Sequence, residues 1–395
     1  MVEERSVAIV GGGVVGCAVA RDLATDYDVT LVEQGQIAGG ATALAAGLIT
    51  MTPSYSDIPA ISDVANDFFR DYDGTREFDF TQRASVEVVP PEQEGEARRR
   101  VERLQEAGIE VAFIESDTLD ERHPQLSSEE FVGGVEFTDT GWVDPYTLAT
   151  ALRADAADRG VDVITETAVG AVRTEGGTVT GIETEDGTVE ADIVVVAAGW
   201  RTPDFLEGIV EVPVRPYRTQ CIVVDPGTSC VAAPMGWHPD EHAYFRPEHN
   251  GDLLLGGWSF AEDDPVEASR DADEEFRIHV AELLPRLFDD LPDPRIRNGW
   301  AGIDGATPDT RPIIDAPGGL PGPGYSASTD IDEDVPTGLV VATGFHGRGV
   351  MTSPVAAAAV RSLLTGTEAS FPLETFAYDR FDDYSRTFEF TSISS

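Results

Sequence analysis

Val7 to Val10 is a short unbroken apolar run, and Val29 to Val32 is a second one rich in β-branched residues. Such runs suit strands buried on both faces of a parallel sheet. Between them, Cys17 to Leu23 carries small apolar residues at helical spacing. Val161 to Ile164, Ile193 to Ala197 and Gly338 to Thr343 predict further strands of the same kind. Helical periodicity marks Ile58 to Tyr72, Glu92 to Gly108 (Val101, Leu104 and Ala107 on one face), Asp271 to Leu287 and a final helix from Pro354 to Leu364. Another helix runs from about Tyr146 to Arg159, with Asp144 as N-cap, Pro145 at the first position and Gly160 as C-cap. Alternating patterns predict strands at Ser85 to Val89 (halted by Pro90 and Pro91), Val111 to Ile114 and Phe131 to Phe137. The β-rich stretch from Val212 to Gly257 adds Thr219 to Val224, Ala243 to Arg246 and Leu253 to Gly257. Ala168 to Val172, Val179 to Ile182 and Thr188 to Ala191 read as a small antiparallel meander turning at Gly176-Gly177 and Asp186-Gly187. Trp300 onward reads as Gly-rich loops, and 381–395 as a loose tail.

The first two strands frame a chemical signal. Gly11, Gly13 and Gly16 form Gly-x-Gly-x-x-Gly between strand and helix, and Glu33 closes the second strand. That order is what a dinucleotide site needs. Gly11 permits the tight turn, Gly13 lets the main chain approach a pyrophosphate, and Gly16 lets the helix pack closely. The helix N-terminus offers N–H groups and positive partial charge to phosphate, and Glu33 can accept from a ribose diol. A stretch of small residues, Gly39 to Ile49, suits backbone lying against a flat ligand.

With 395 residues, the chain has the length of about two domains. Its net charge of −45, from 72 acids against 27 bases, repels nucleic acid and anionic membrane. Every base is arginine, since lysine is absent. We read the acidic coat as solvation in strong salt, where repulsion is screened over a few ångströms. Glu3 and Glu4 replace the basic region of a signal peptide, and no apolar stretch has membrane-spanning length, so a cytoplasmic protein without an integral membrane segment is expected. Cys17, Cys221 and Cys230 show no metal spacing; Cys17 reads as a buried thiol, and pairing of the other two stays open.

Taken together, five stretches resemble the D-amino-acid oxidase superfamily of FAD-dependent oxidoreductases, in its glycine oxidase and sarcosine oxidase branch. They are the Gly-rich loop with Glu33, the segment 40–48, Thr140 to Pro145, Val194 to Gly199, and Gly344 to Pro354. The resemblance implies an α/β fold: a Rossmann-like FAD domain of parallel sheet, helices and β-meander, interleaved with an α+β substrate domain on a mixed sheet. The expected pieces are 1–84, 143–212 and 299–380 for FAD, and 85–142 and 213–298 for substrate. It further implies that Val14, Val15, Gly16, Ala198 and Gly199 meet the phosphates, that Glu33 meets the adenosine ribose, that Gln34 belongs to the cofactor site, and that Val169 holds adenine. Ala41, Thr42, Ala46, Gly47 and Leu48 would line the flavin. Gly344, Phe345, Gly347, Arg348, Gly349, Val350 and Met351 would run beside its O2 edge. Ala43, Leu44 and Met351 stand where covalent attachment would need His or Cys, so FAD is expected to be non-covalent.

The resemblance implies oxidation of a small amine or amino acid by hydride transfer to flavin N5. The substrate end departs from the pattern, because Asp304 occupies the place of a carboxylate-binding arginine. The remaining candidates are Tyr244, Arg246, His346 and Arg348, with Tyr217 and Trp258 as aromatic walls. The missing lysine favours a dehydrogenase passing electrons to a protein or quinone, or a slow oxidase using Arg or His. The competing readings are a 2-hydroxy-acid or glycerol-3-phosphate flavoprotein, for which Arg218, Arg246 and Arg348 would supply cations, and a flavin-bearing subunit with no substrate. A single Gly-x-Gly-x-x-Gly argues against a NAD(P)-dependent reductase.

Overall fold

The computed structural model describes residues 5–72 and 78–392; Glu3, Glu4 and residues 393–395 of the expected tail lie outside them. Ser6–Val10 is an inner strand of a six-stranded sheet. The order is Ile313–Asp315, Leu339–Thr343, Ile193–Val196, Ser6–Val10, Asp28–Val32 and Asp162–Ile164. All neighbours are parallel except the first pair. Alternate residues serve different layers. Val7, Ile9, Val29, Leu31 and Val195 face the helices Val14–Leu23, Pro145–Asp158 and Gly349–Thr365. Ala8, Val10, Val194 and Val196 face the three-stranded meander Val169–Glu175, Thr178–Thr184 and Gly187–Glu190. Both faces are covered, which is why these strands read as continuous apolar runs.

The second sheet has eight strands, ordered Arg295–Ala306, Arg215–Asp225, Leu253–Ala261, Ala243–Pro247, Met235–His238, Ser85–Val89, Gly133–Phe137 and Val111–Glu115. It is antiparallel except where Met235–His238 meets Ser85–Val89. Ile222, Val224, Phe245, Leu253 and Leu255 pack one face onto the helix Glu274–Leu287. The opposite face, with Cys221, Tyr244 and Trp300, looks toward the first sheet's loops.

Four expectations change. Arg295–Ala306 is a twelve-residue strand, not loop from Trp300 onward. It pairs along the whole of Arg215–Asp225, and the expected boundary at 298–299 falls inside it. Its glycines obscured it in the sequence; at Gly302 the missing side chain lets the strand lie against Leu44. The final helix begins at Gly349 and contains Pro354. Proline cannot bond the carbonyl one turn back, but the Ser353 hydroxyl donates to that Val350 carbonyl instead (2.9 Å). On the helix Glu94–Glu106 the buried stripe is Ala97 and Val101, while Ala107 beyond it is exposed. Residues 381–392 are docked rather than loose. Arg386 reaches Asp204 (2.6 Å), Arg215 reaches the Phe388 carbonyl (3.1 Å), and Phe390 stacks on Tyr217 and His346. The three cysteines are separate buried thiols.

Candidate active site

The central strand Ser6–Val10 has its parallel neighbours on opposite sides connected in different directions, so a crevice opens at its C-terminal end. The Gly-rich turn fills that position. Gly11 has φ +112°, and a Cβ there would collide with the Ala197 carbonyl. A Cβ on Gly16 would collide with the Gly11 carbonyl. At Gly13, by contrast, the nearest atom to an added Cβ is the Thr42 hydroxyl at 3.4 Å, so the turn keeps an open side toward the crevice. Both Glu33 oxygens are already engaged: Oε2 accepts from the Gly12 N–H (2.7 Å) and Oε1 from that of Gly35 (2.9 Å). The acid therefore first ties two loops together, and does so at the rim of the crevice.

From there a cavity of about 1030 Å³ continues to the eight-stranded sheet. Its walls include Ala41 and Thr42 on the single helical turn Ala41–Leu44, then Ala46, Gly47 and Leu48. Thr42 Oγ1 accepts from the Val14 N–H (3.1 Å), joining this wall to the Gly-rich turn. Gly47 has φ +74°, and a Cβ there would strike the Val143 carbonyl, so only glycine lets the segment pass. On the other side run Phe345 and Gly347 to Met351, where the helix Gly349–Thr365 begins and directs its positive end at the cavity.

The sheet closes the far end. Tyr217, Thr219 and Cys221 alternate on one strand and so share a face. Tyr217 lies directly opposite Asp304 on the next strand. Tyr244 faces the same space because Gly256, its cross-strand partner, leaves room for the ring. The Tyr244 hydroxyl lies 3.6 Å from Cys221 Sγ, and burial pushes that thiol up to about 11. Asp304 Oδ2 accepts from the Gly347 N–H (2.7 Å) and, weakly, from the Tyr217 hydroxyl (3.5 Å). Burial raises the Asp304 carboxyl above its ordinary range. Arg348 is half-buried and donates to the Thr310 carbonyl (2.9 Å); desolvation lowers it from its usual value.

Residues 6–363 match the family described as FAD dependent oxidoreductase. The chain belongs to this family. A glycine oxidase of Geobacillus kaustophilus is 24% identical over 394 residues, which are 96% of this chain and 98% of that protein. Subunit A1 of an anaerobic glycerol-3-phosphate dehydrogenase of Haloferax volcanii is 30% identical over 80% of the chain, which spans 56% of that longer protein. Among solved structures, an L-proline dehydrogenase from P. horikoshii superposes with a TM-score of 0.84 at 23% identity, covering 97% of this chain and 99% of the other. The glycine-lined crevice with its open turn at Gly13 fits a dinucleotide such as FAD.

The oxidoreductase brings most of the expected cofactor residues onto one cavity: Gly11, Gly13, Val14, Val15, Glu33, Gln34, Val169, Ala198 and Gly199 line it with the segments above. Gly16 and Gly344 do not; each serves the backbone instead, Gly344 with φ +71° packed under Thr307. Arg246 is a correction. Its guanidinium donates to the Ala46 carbonyl (2.6 Å), pairs with Glu248 (3.1 Å) and covers the Trp142 ring, behind the cavity lining rather than in it. His346 is another: its Nε2 lies 2.7 Å from the Thr391 carbonyl, and its ring stacks on Phe390, outside the cavity lining. Trp258 packs on Phe276 and His279. Arg201 and Arg270 also line the cavity, beyond the residues the sequence pattern marks. Arg201, resting on the Trp200 ring, had a local signal right after Gly199, but Arg270 reaches the site only through tertiary folding.

Proposed function

We propose that this oxidoreductase oxidises a small amine or amino acid of the glycine, sarcosine, proline or D-amino-acid class, with FAD held non-covalently. Bound flavin would supply the two-electron acceptor, with N5 as the atom for a hydride from the carbon next to nitrogen. The chain's residues supply position and exclusion of water. Tyr217, Tyr244 and Thr219 would form the floor on which the substrate rests, and Arg348 would offer a bidentate fork to its carboxylate. Water then hydrolyses the imine product. The observation that carries the reading is that the sheet presents Tyr217, Tyr244 and Asp304 to the same cavity that the 345–351 loop borders with Arg348. The glycine oxidase and proline dehydrogenase likenesses support it.

A glycerol-3-phosphate substrate would need several cations at this end. Arg218 is bound to Asp273 (2.8 Å) and to the Ser269 carbonyl (3.0 Å), and Arg246 is committed elsewhere. Arg201 lies in the field of Glu33 and Arg270. Mixing the holoenzyme anaerobically with sarcosine, glycine, proline, D-amino acids and 2-hydroxy acids tests the proposal. Bleaching by an amine or amino acid is expected. Bleaching only by hydroxy acids overturns it, and bleaching by none favours a flavin-bearing subunit. Without lysine to promote dioxygen reduction, we infer a dehydrogenase that hands electrons to a protein or quinone in a salt-rich cytoplasm. Stopped-flow reoxidation by air at oxidase rates would refute that acceptor.

A further inference from the structure

Asp304 lines the cavity, and among the described residues its carboxylate makes no ion pair with an arginine. Among the described residues its partners are the Gly347 N–H, the Tyr217 hydroxyl and the N–H of Gly305. In a chain whose arginines are mostly paired with acids at the surface, this acid is left inside, where an uncompensated charge is costly. The Gly347 and Tyr217 bonds both go to Oδ2. The residue is half-buried, and it is one of the groups lining the cavity. Its placement is fixed from both sides. It sits in register with Tyr217 on a continuous sheet, and it holds the 345–348 loop through the Gly347 N–H. Arg348, the next residue of that loop, lines the same cavity. Tyr217 lies close enough to both to feel their opposite charges.

We infer that Asp304 is the acceptor for the substrate nitrogen, so that the cavity selects a small zwitterionic amino acid, its N–H groups on Asp304 and its carboxylate on Arg348. This rests on the amine-oxidation reading and narrows it. A 2-hydroxy acid would present one hydroxyl where an ammonium presents three donors and a positive charge. The carboxylate thus acts as a specificity-determining group.

Two ligands that differ only in this group, and that lack the hydrogen a flavin would remove, provide the test. 2-Aminoisobutyrate and 2-hydroxyisobutyrate are titrated into the holoenzyme at fixed salt, and binding is read from the visible flavin spectrum. The wild-type protein is expected to prefer the amino ligand at least tenfold, about 1.4 kcal/mol. In Asp304→Asn the side-chain carbonyl still accepts from Gly347 while the charge is gone. That variant is expected to bring the two affinities within about twofold, chiefly by weakening the amino ligand. Equal or reversed preference in the wild-type protein overturns the inference, with no variant needed. So does a preference that survives Asp304→Asn. Because neither ligand can be oxidised, this outcome is independent of the bleaching screen. Amines that bleach the flavin without the tenfold preference defeat the Asp304 assignment alone; the preference without bleaching defeats the oxidation reading alone.

Discussion

Gly16 carries no side chain because the Gly11 carbonyl occupies the space a methyl would need. Gly16→Ala must push the turn out of the crevice, and backbone on both sides leaves nowhere to go. FAD affinity in that variant is expected to fall at least tenfold, measured by titration of the apoprotein with FAD. His346 illustrates a different constraint. Burial pushes its ring down to about 4 from 6.5, so the folded protein keeps it neutral while the unfolded chain protonates at higher pH. A group depressed in this way destabilises the fold as pH drops from about 6.5 toward 4, by up to about 3 kcal/mol, and adds nothing further below that window. Denaturant melts of the wild-type protein and His346→Gln across this range are expected to converge as the pH falls. Parallel curves would contradict the assignment.

At the scale of elements, legibility in the sequence follows from how local each element's causes are. The strand, turn, helix and acid of 6–33 are local in sequence and dictated by small residues, so their pattern is written out plainly. So are the meander, with its glycine turns, and the helix capped by Asp144, whose carboxylate accepts from Thr147 N (2.7 Å). The strand Arg295–Ala306 was hidden, since Gly299, Gly302 and Gly305 are there for neighbours that approach from other parts of the chain. Arg246 and His346 obey the same rule: residue type suggests chemistry, but only folding decides which way a side chain is spent. The segment 381–392 was hidden too, being polar and without period. Its Phe390 ring lies 5.0 Å from Tyr217 and 5.6 Å from His346. Removing residues 386–395 is expected to cost about 1–3 kcal/mol of stability through the lost ring contacts. It should also weaken FAD binding, because the 345–348 loop loses its backing. Thermal melts with and without FAD check both effects.

The whole molecule carries a net charge of −45. Repulsion of that size opposes compaction wherever it is unscreened. Raising KCl from dilute to molar is expected to raise the melting temperature steadily; a flat or falling curve would remove the case for salt adaptation. No helix among the described residues is long and apolar enough to cross a membrane.

The central strand Ser6–Val10 lies between a neighbour drawn from 28–32 and another from 193–196, with 339–343 beyond. On the ribosome the Gly-rich turn therefore emerges long before two of those partners exist. Until the strand at 339 emerges, the apolar edge of this sheet has no covering, and pairing over such distances is slow. Production of this protein should accordingly depend on chaperone supply and on how fast translation runs, more than on the stability of the finished fold.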